Sequence, residues 1–287
     1  MSLLAPTIEL NNGNRMPAFG LGVWQTPGDQ TATAVRSAIG SGYRLIDTAS
    51  AYGNEREVGE GVASGGVKRS ELFVTTKLWI KDFGYDKALA AFDASMAKLG
   101  LDYLDLYLLH WPVPKTFADT VAAYRAAEKI LADGRVKAIG VSNFNPDHLD
   151  RLKAETDVVP AVNQVELHPY FSQRAVRQAN AERGIVTQSW SPIGGSWSGS
   201  AGGTGPLLEN PVIVGTARDL GKSPAQVVLR WHLQHGLSVI PKSVNPKRIA
   251  ENIDVFDFEL DEARMAALDA LDAGSRSGPD PDAFGAS

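Results

Sequence analysis

With 287 residues, 44% of them hydrophobic, the chain is long enough for one large α/β domain. Its formal net charge of -5, without any Lys/Arg-rich block, argues against nucleic acid as a partner. The absence of cysteine excludes disulfides, thiolate nucleophiles and Cys-ligated zinc or iron-sulfur centres.

The opening MSLLAPTIEL lacks the basic start and long apolar core of a signal peptide, and no apolar stretch reaches spanning length. A soluble cytoplasmic protein with no membrane partner is the expectation. IELNNGNRMPAFG then sets two short segments around Asn12-Gly13, which predicts an antiparallel hairpin over 7–19 that acts as a small lid before the main fold. Strand patterns follow in GLGVW (20–24), YRLID (43–47), LFVTTK (72–77), LDLYLLH (104–110), VKAIGVS (136–142), AVNQVE (161–166), IVTQSW (185–190) and LSVI (237–240).

Amphipathic segments such as 29–41, 86–99, 118–132, 173–183 and 223–235 have the length a crossover helix needs to return a parallel strand. Eight strands with seven crossovers predict a (β/α)8 TIM barrel in one domain over 1–287. The pattern alone also allows a doubly wound open sheet. Three stretches interrupt the alternation. GGSWSGSAGGTG (194–205) reads as a mobile loop, an extra helix falls near 210–220, and an appended helix after Leu260 runs into a flexible tail over 271–287.

A barrel gathers its site at the C-terminal ends of its strands. Asp47, Lys77, His110, Ser142 and Asn143 end the second to fifth runs. Gln164 and Glu166 lie near the end of the sixth, Trp190 and Ser191 end the seventh, and Lys242 and Ser243 follow the eighth. Each alone has a bland reading, as a loop cap or a hydrogen-bonded structural residue. As a set they should face one cavity.

Tyr52 stands a short loop beyond Asp47, with Asn54 and Glu57 placed to cap the next helix and anchor that loop. A tyrosine of ordinary pKa, about 10, gives up its proton reluctantly at neutral pH. A neighbouring ammonium favours the phenolate, and Lys77 supplies that charge. A lysine in an apolar barrel needs a carboxylate to stay charged, which Asp47 provides. The four residues Asp47, Tyr52, Lys77 and His110 therefore read as catalytic: a proton donor, with His110 sharing the proton or orienting a carbonyl oxygen.

Other motifs carry less. GEGVASGG (59–66) has glycines after a helix start where a dinucleotide fingerprint needs a strand, and GKS (221–223) has Thr216 where a phosphate loop needs glycine. His168 reads as structural, His232 and His235 lack ligand companions, and no metal is expected. Trp24, Trp79 and Trp111, at or just beyond strand ends, suit an apolar substrate cup, with a packed rim as the alternative. Trp231 reads as core. Trp197, in the glycine-rich loop, has two readings: a ring folded down over cofactor or substrate, or a disordered side chain.

Nearly end to end, the chain resembles the aldo-keto reductases, through LIDTASAYGNE, TTKLW, LLHWP, IGVSNF, VNQVELHP and IPKSVNPKRIAEN in the expected order. ELHPY, QSWSPIGG and the short tail are most similar to the bacterial group that includes 2,5-diketo-D-gluconate reductases. The resemblance implies an (α/β)8 barrel, an NADPH/NADP cofactor held without a Rossmann domain, and a catalytic tetrad of Asp47, Tyr52, Lys77 and His110. It implies Ser142, Asn143 and Gln164 on the nicotinamide carboxamide, with Trp190 stacked on the ring and Ser191 beside it; many members have tyrosine at that stacking place. PKS, at Pro241, Lys242 and Ser243, with Arg248 would grip the adenosine 2'-phosphate, Val244 would also bind the cofactor, and Glu251 and Asn252 would touch adenine. A dianionic phosphate favours a lysine together with a forked guanidinium, so NADPH is expected over NADH. Without the preceding PKS, a solvated helix face would be the better reading of Lys247 and Arg248.

The expected activity is reduction of the carbonyl of aldehydes, ketones or keto-sugars by a small cytoplasmic monomer. The alternative is an NADPH-binding regulatory or redox-sensing subunit with little turnover, against which the intact tetrad argues. A cofactor-free barrel isomerase or lyase would leave PKS and Arg248 unexplained.

Overall fold

This computed structural model describes residues 4–195 and 205–285. Trp197, most of the Gly/Ser-rich loop and the last two residues of the tail lie outside the described residues. Strands β1 (Thr7–Glu9) and β2 (Arg15–Pro17) pair antiparallel around a turn in which Gly13 takes a φ of 83°, as the Asn-Gly pattern demands. The chain then alternates through β3 (Gly20–Gly22), α1 (Gly28–Gly40), β4 (Leu45–Asp47), α2 (Glu55–Ala63), β5 (Phe73–Leu78) and α3 (Tyr85–Leu99). It continues with β6 (Leu104–Leu109), α4 (Phe117–Ala132), β7 (Val136–Ser142), α5 (Pro146–Glu155), β8 (Val162–Glu166), α6 (Arg174–Glu182) and β9 (Val186–Trp190). Helices α7 (Pro211–Leu220) and α8 (Pro224–Gln234) precede β10 (Ser238–Val239), and α9 (Pro246–Ile253) and α10 (Glu262–Asp269) follow it.

Strands β3 to β10 form one parallel sheet in sequence order. Its edges meet. Val239 donates its N–H to Ala18 at 2.9 Å and Gly22 donates to Pro241 at 3.1 Å, which closes the barrel and excludes the open doubly wound sheet. Strands β5 and β6 are buried at every residue, which explains why they read as continuous rather than alternating patterns. Inside, Met16, Leu45, Phe73, Leu106, Leu108 and Val162 fill the core, while larger side chains pack between strands and helices.

The hairpin covers the end of the barrel opposite the strand C-termini. Asn12 and Asn14 both donate to the Lys137 carbonyl, at 2.9 and 2.8 Å, where β7 begins, and Asn11 reaches Pro160 ahead of β8. It is a floor, and Met16 plugs the interior from it.

His232, on α8, lies fully buried beneath β9, with Nδ1 2.8 Å from the Val228 carbonyl and Nε2 3.1 Å from that of Leu167. Loss of water drives its pKa down to about 4, against the opposing pull of those carbonyls. Trp231 beside it is core, as expected, and His235 is tied to Asp269 at 2.8 Å.

Because the unfolded histidine binds a proton before the buried one, stability should be full above the ordinary value of 6.5 and fall as pH drops towards 4. The loss should approach about 1.4 kcal/mol per pH unit within that window, and level off below it. Urea unfolding between pH 7 and 4 measures the slope, and His232→Gln should flatten it; an unchanged slope would show that His232 is not the titrating group.

Candidate active site

The site is assembled from the residues that stop the strands. Asp47 ends β4, Lys77 lies near the end of β5, His110 follows β6, Ser142 ends β7, Gln164 and Glu166 lie on β8, and Trp190 ends β9. All but Lys77 and Glu166 line one cavity of about 1040 Å³ at the C-terminal mouth, together with Tyr52, Asn143, Ser191 and Lys242, and Lys77 lies buried just behind Asp47 and Tyr52. Most of the expected rim residues therefore face one cavity, while Lys77, Glu166 and Ser243 do not line it.

Lys77 has no solvent exposure, and its ammonium donates to Asp47 Oδ1 at 2.5 Å, the Thr48 carbonyl at 3.0 Å and the Tyr52 hydroxyl at 3.3 Å. Its three protons are thus all placed. The other Asp47 oxygen accepts from Gln164 Nε2 at 2.8 Å. Burial alone would lower the lysine's pKa, but the charge of Asp47 and the contact with Tyr52 more than offset it and hold the group above its ordinary value.

The expectation that Lys77 makes Tyr52 more acidic than a free tyrosine needs correction. Loss of water around the hydroxyl is the largest effect and raises its pKa; the Lys77 charge pulls the other way and is outweighed. Tyr52 is therefore a loaded phenol at neutral pH. Since its oxygen accepts from Lys77, its own proton remains available to a molecule in the cavity.

Neither Asn54 nor Glu57 caps α2 through its side chain. Asn54 instead accepts from Thr48 at 2.8 Å and donates to the Val23 carbonyl at 2.9 Å, because the loop folds in between β3 and β4. Ser50, which carries no sequence signal, donates to the Lys77 carbonyl at 2.9 Å. These bonds fix the single 3-10 turn, Ser50–Tyr52, that holds the phenol over the barrel.

His110 has its ring edge-on to Tyr52 at 5.6 Å and to Trp79 at 5.1 Å. Burial and then the Lys77 charge push its pKa well below the ordinary value, so the imidazole is neutral. Nδ1 is buried with no hydrogen-bond partner among the described residues.

On the opposite wall, Asn143 adopts a left-handed φ of 65°, a costly conformation that turns its amide back into the site. It donates to the His110 carbonyl at 3.0 Å and accepts the Trp190 indole N–H at 2.9 Å. Gln164 spends its N–H groups on Asp47 and Gln188, which leaves its amide oxygen for the cavity. Ser142 donates to the Gln164 carbonyl at 2.7 Å.

Trp24, Trp79 and Trp111 all line the cavity. Ser243, Val244, Arg248, Glu251 and Asn252 do not: they lie on the segment from β10 into α9, beyond its edge. Lys242 and Arg248 are exposed and make no ion pair with any described residue, and the Asn245 side chain caps α9 by accepting from Lys247 and Arg248 N–H groups. His168 bonds Glu166 at 3.1 Å, a structural role. Among the described residues no cluster of His, Asp and Glu is placed to hold a metal ion.

The tail, expected as a flexible end, is instead held against the barrel as far as residue 285. Phe284 stacks on Trp111, ring centroids 4.1 Å apart, meets Trp79 edge-on at 5.9 Å, and lines the cavity. A lone aromatic in a Gly/Pro-rich segment was the one available signal for such an anchor.

The model of the aldo/keto reductase family matches residues 16–273. The chain belongs to that family. A morphine 6-dehydrogenase of Pseudomonas putida is 58% identical over 281 residues, covering 96% of this chain and 95% of that protein. Methylglyoxal reductase DkgA of Escherichia coli is 49% identical over 278 residues, covering 97% and 98%. Among solved structures, an aldo-keto reductase of Bombyx mori in complex with NADP aligns with a TM-score of 0.90 at 36% identity, covering 99% of this chain and 98% of that one. A mutant of Gox0644 in complex with NADPH aligns with a TM-score of 0.90 at 46% identity, covering 98% of each. This aldo/keto reductase is an oxidoreductase, and its barrel is that of its structural neighbours.

Proposed function

We propose that this aldo/keto reductase reduces a carbonyl group with Tyr52 as proton donor. The observation that carries the reading is the Lys77 ammonium, within hydrogen-bond reach of Asp47 at 2.5 Å and of Tyr52 at 3.3 Å. The cofactor is NADP(H). When bound, it supplies the hydride.

The donor set suits that group. A free Gln164 oxygen and the amide of Asn143 match a carboxamide, and the Trp190 indole offers an aromatic face at the cavity wall. Lys242 and Arg248, unpaired among the described residues, suit a phosphate on the adenosine side. Glu251, exposed on α9, and the buried Asn252 next to it are the residues proposed to touch adenine, on the same segment as Arg248.

In the cup, Trp24, Trp79 and Trp111 hold the apolar part of the substrate while its oxygen takes the Tyr52 proton. Neutral His110 donates a second hydrogen bond to that oxygen, and orients it. As negative charge builds on the tyrosine oxygen, Lys77 opposes it, in a site where low water makes the charge effective. Aldehydes, ketones and keto-sugars, 2,5-diketo-D-gluconate among them, are the proposed substrates; the names of the relatives support carbonyls of different size. A monomer is the proposed working unit.

Replacing Tyr52 with Phe removes the proton and leaves the cavity's volume. Carbonyl-dependent NADPH oxidation should fall by about 10²- to 10⁴-fold, with NADPH affinity near normal; turnover retained in a spectrophotometric assay would end the role given to Tyr52. Arg248→Ala should weaken NADPH binding about tenfold or more and leave NADH nearly untouched. Calorimetric titration with both cofactors checks this, and equal losses would refute the phosphate assignment.

A further inference from the structure

Glu166 is fully buried at the end of β8 yet does not line the cavity, and the scheme above gives it no task. Its carboxylate is the most heavily engaged acceptor at the barrel mouth. Oε1 accepts the Ser277 N–H at 2.7 Å and the Ser277 hydroxyl at 2.5 Å, and lies 3.1 Å from His168 Nε2; Oε2 accepts the Gly278 N–H at 2.8 Å. Burial would raise its pKa, but these donors, led by His168 and Ser277, hold it below the ordinary range, so it stays ionised. A buried carboxylate that draws two backbone N–H groups from a tail 111 residues away fixes that tail firmly in place.

What the tail presses on is Trp190. Glu166 and Trp190 are paired neighbours on β8 and β9. At Gly278 an added Cβ would fall 2.5 Å from Trp190 Cη2 and 3.3 Å from Cζ2, and 3.0 Å from Glu166 Oε2, so the bare backbone touches the benzo edge of the indole. Gly278 has no positive φ to demand glycine; space demands it. On its pyrrole side the same indole is held by Asn143 at 2.9 Å. Beyond Gly278 the strap is fastened again, where Asp282 accepts from Asn145 at 2.9 Å and lies 3.1 Å from His148.

We propose that Gly278, held by Glu166, is a backstop that fixes the plane of the Trp190 indole, so that Glu166 and Gly278 are positioning residues for the ring of the bound cofactor. This rests on the reading of Trp190 as the residue that stacks on the nicotinamide. A side chain at 278 drives the indole off its position, whereas the adenosine end of the cofactor, gripped beyond the cavity's edge, does not feel the change.

The test is calorimetric titration of the full chain and its Gly278→Ala, Trp190→Ala and double variants, with NADP+ and with adenosine 2',5'-bisphosphate, which lacks the nicotinamide. Gly278→Ala should weaken NADP+ about tenfold, a loss in the range of overpacking, and leave the bisphosphate within about twofold. In the Trp190→Ala background the same substitution should have no further effect. Loss of affinity for both ligands, or a full effect in the absence of Trp190, would overturn the backstop. If Trp190→Ala leaves NADP+ binding unchanged, the stacking role itself fails; if it weakens binding while Gly278→Ala does not, only the backstop fails. Should Gly278→Ala not fold, Glu166→Gln, which keeps shape but weakens the hold on both N–H groups, should give the same NADP+-selective loss, and an equal loss for both ligands would refute it.

Discussion

A lysine with no exposure to water, set in the wall of an apolar barrel, is unstable unless its charge is answered. Asp47 answers it at 2.5 Å, and the Thr48 carbonyl and Tyr52 hydroxyl take the remaining protons. The rest of the site is built outward from that pair. Gln164 joins it by donating to the second Asp47 oxygen, and Gln188 continues the chain of polar contacts across the barrel. All of these groups except the half-buried Tyr52 are buried, so the network holds together only as a unit. Breaking one contact would leave a charge unpaired in a medium that cannot hydrate it.

The same pair governs the chemistry proposed for the site. Burial raises the tyrosine's hold on its proton, and the ammonium stabilises what remains when the proton leaves. A donor that is loaded at rest and assisted in departure is what reduction of a carbonyl needs. The neutral His110 beside it adds a donor without adding a second positive charge next to Lys77.

Much of this was legible in the sequence because a parallel barrel writes its site at strand ends. Asp47, Lys77, His110, Ser142 and Trp190 stand where apolar runs stop, and the structure gathers them at one mouth, with Lys77 buried behind Asp47 and Tyr52. Local patterns could not give the contacts between distant segments. Ser50 and Asn54 pin the Tyr52 loop through partners on other strands, so Asn54 looked like a helix cap. The tail misled for a similar reason: SGPDPDAFGAS is polar and rich in turn residues, yet a buried carboxylate far upstream and the Trp111 ring hold it down. The sign of the Tyr52 shift was also hidden, since it depends on how much water burial removes.

The most direct measurement is the charge state of Lys77 in the resting enzyme, read by NMR from the 13Cε and 15Nζ shifts of labelled lysine and assigned with a Lys77→Met variant. A fully protonated ammonium from pH 6 upward, with a titration midpoint above that of an exposed lysine, is the expected result. A neutral amine at pH 7 would contradict the account, because nothing would then be left to receive the charge of Tyr52.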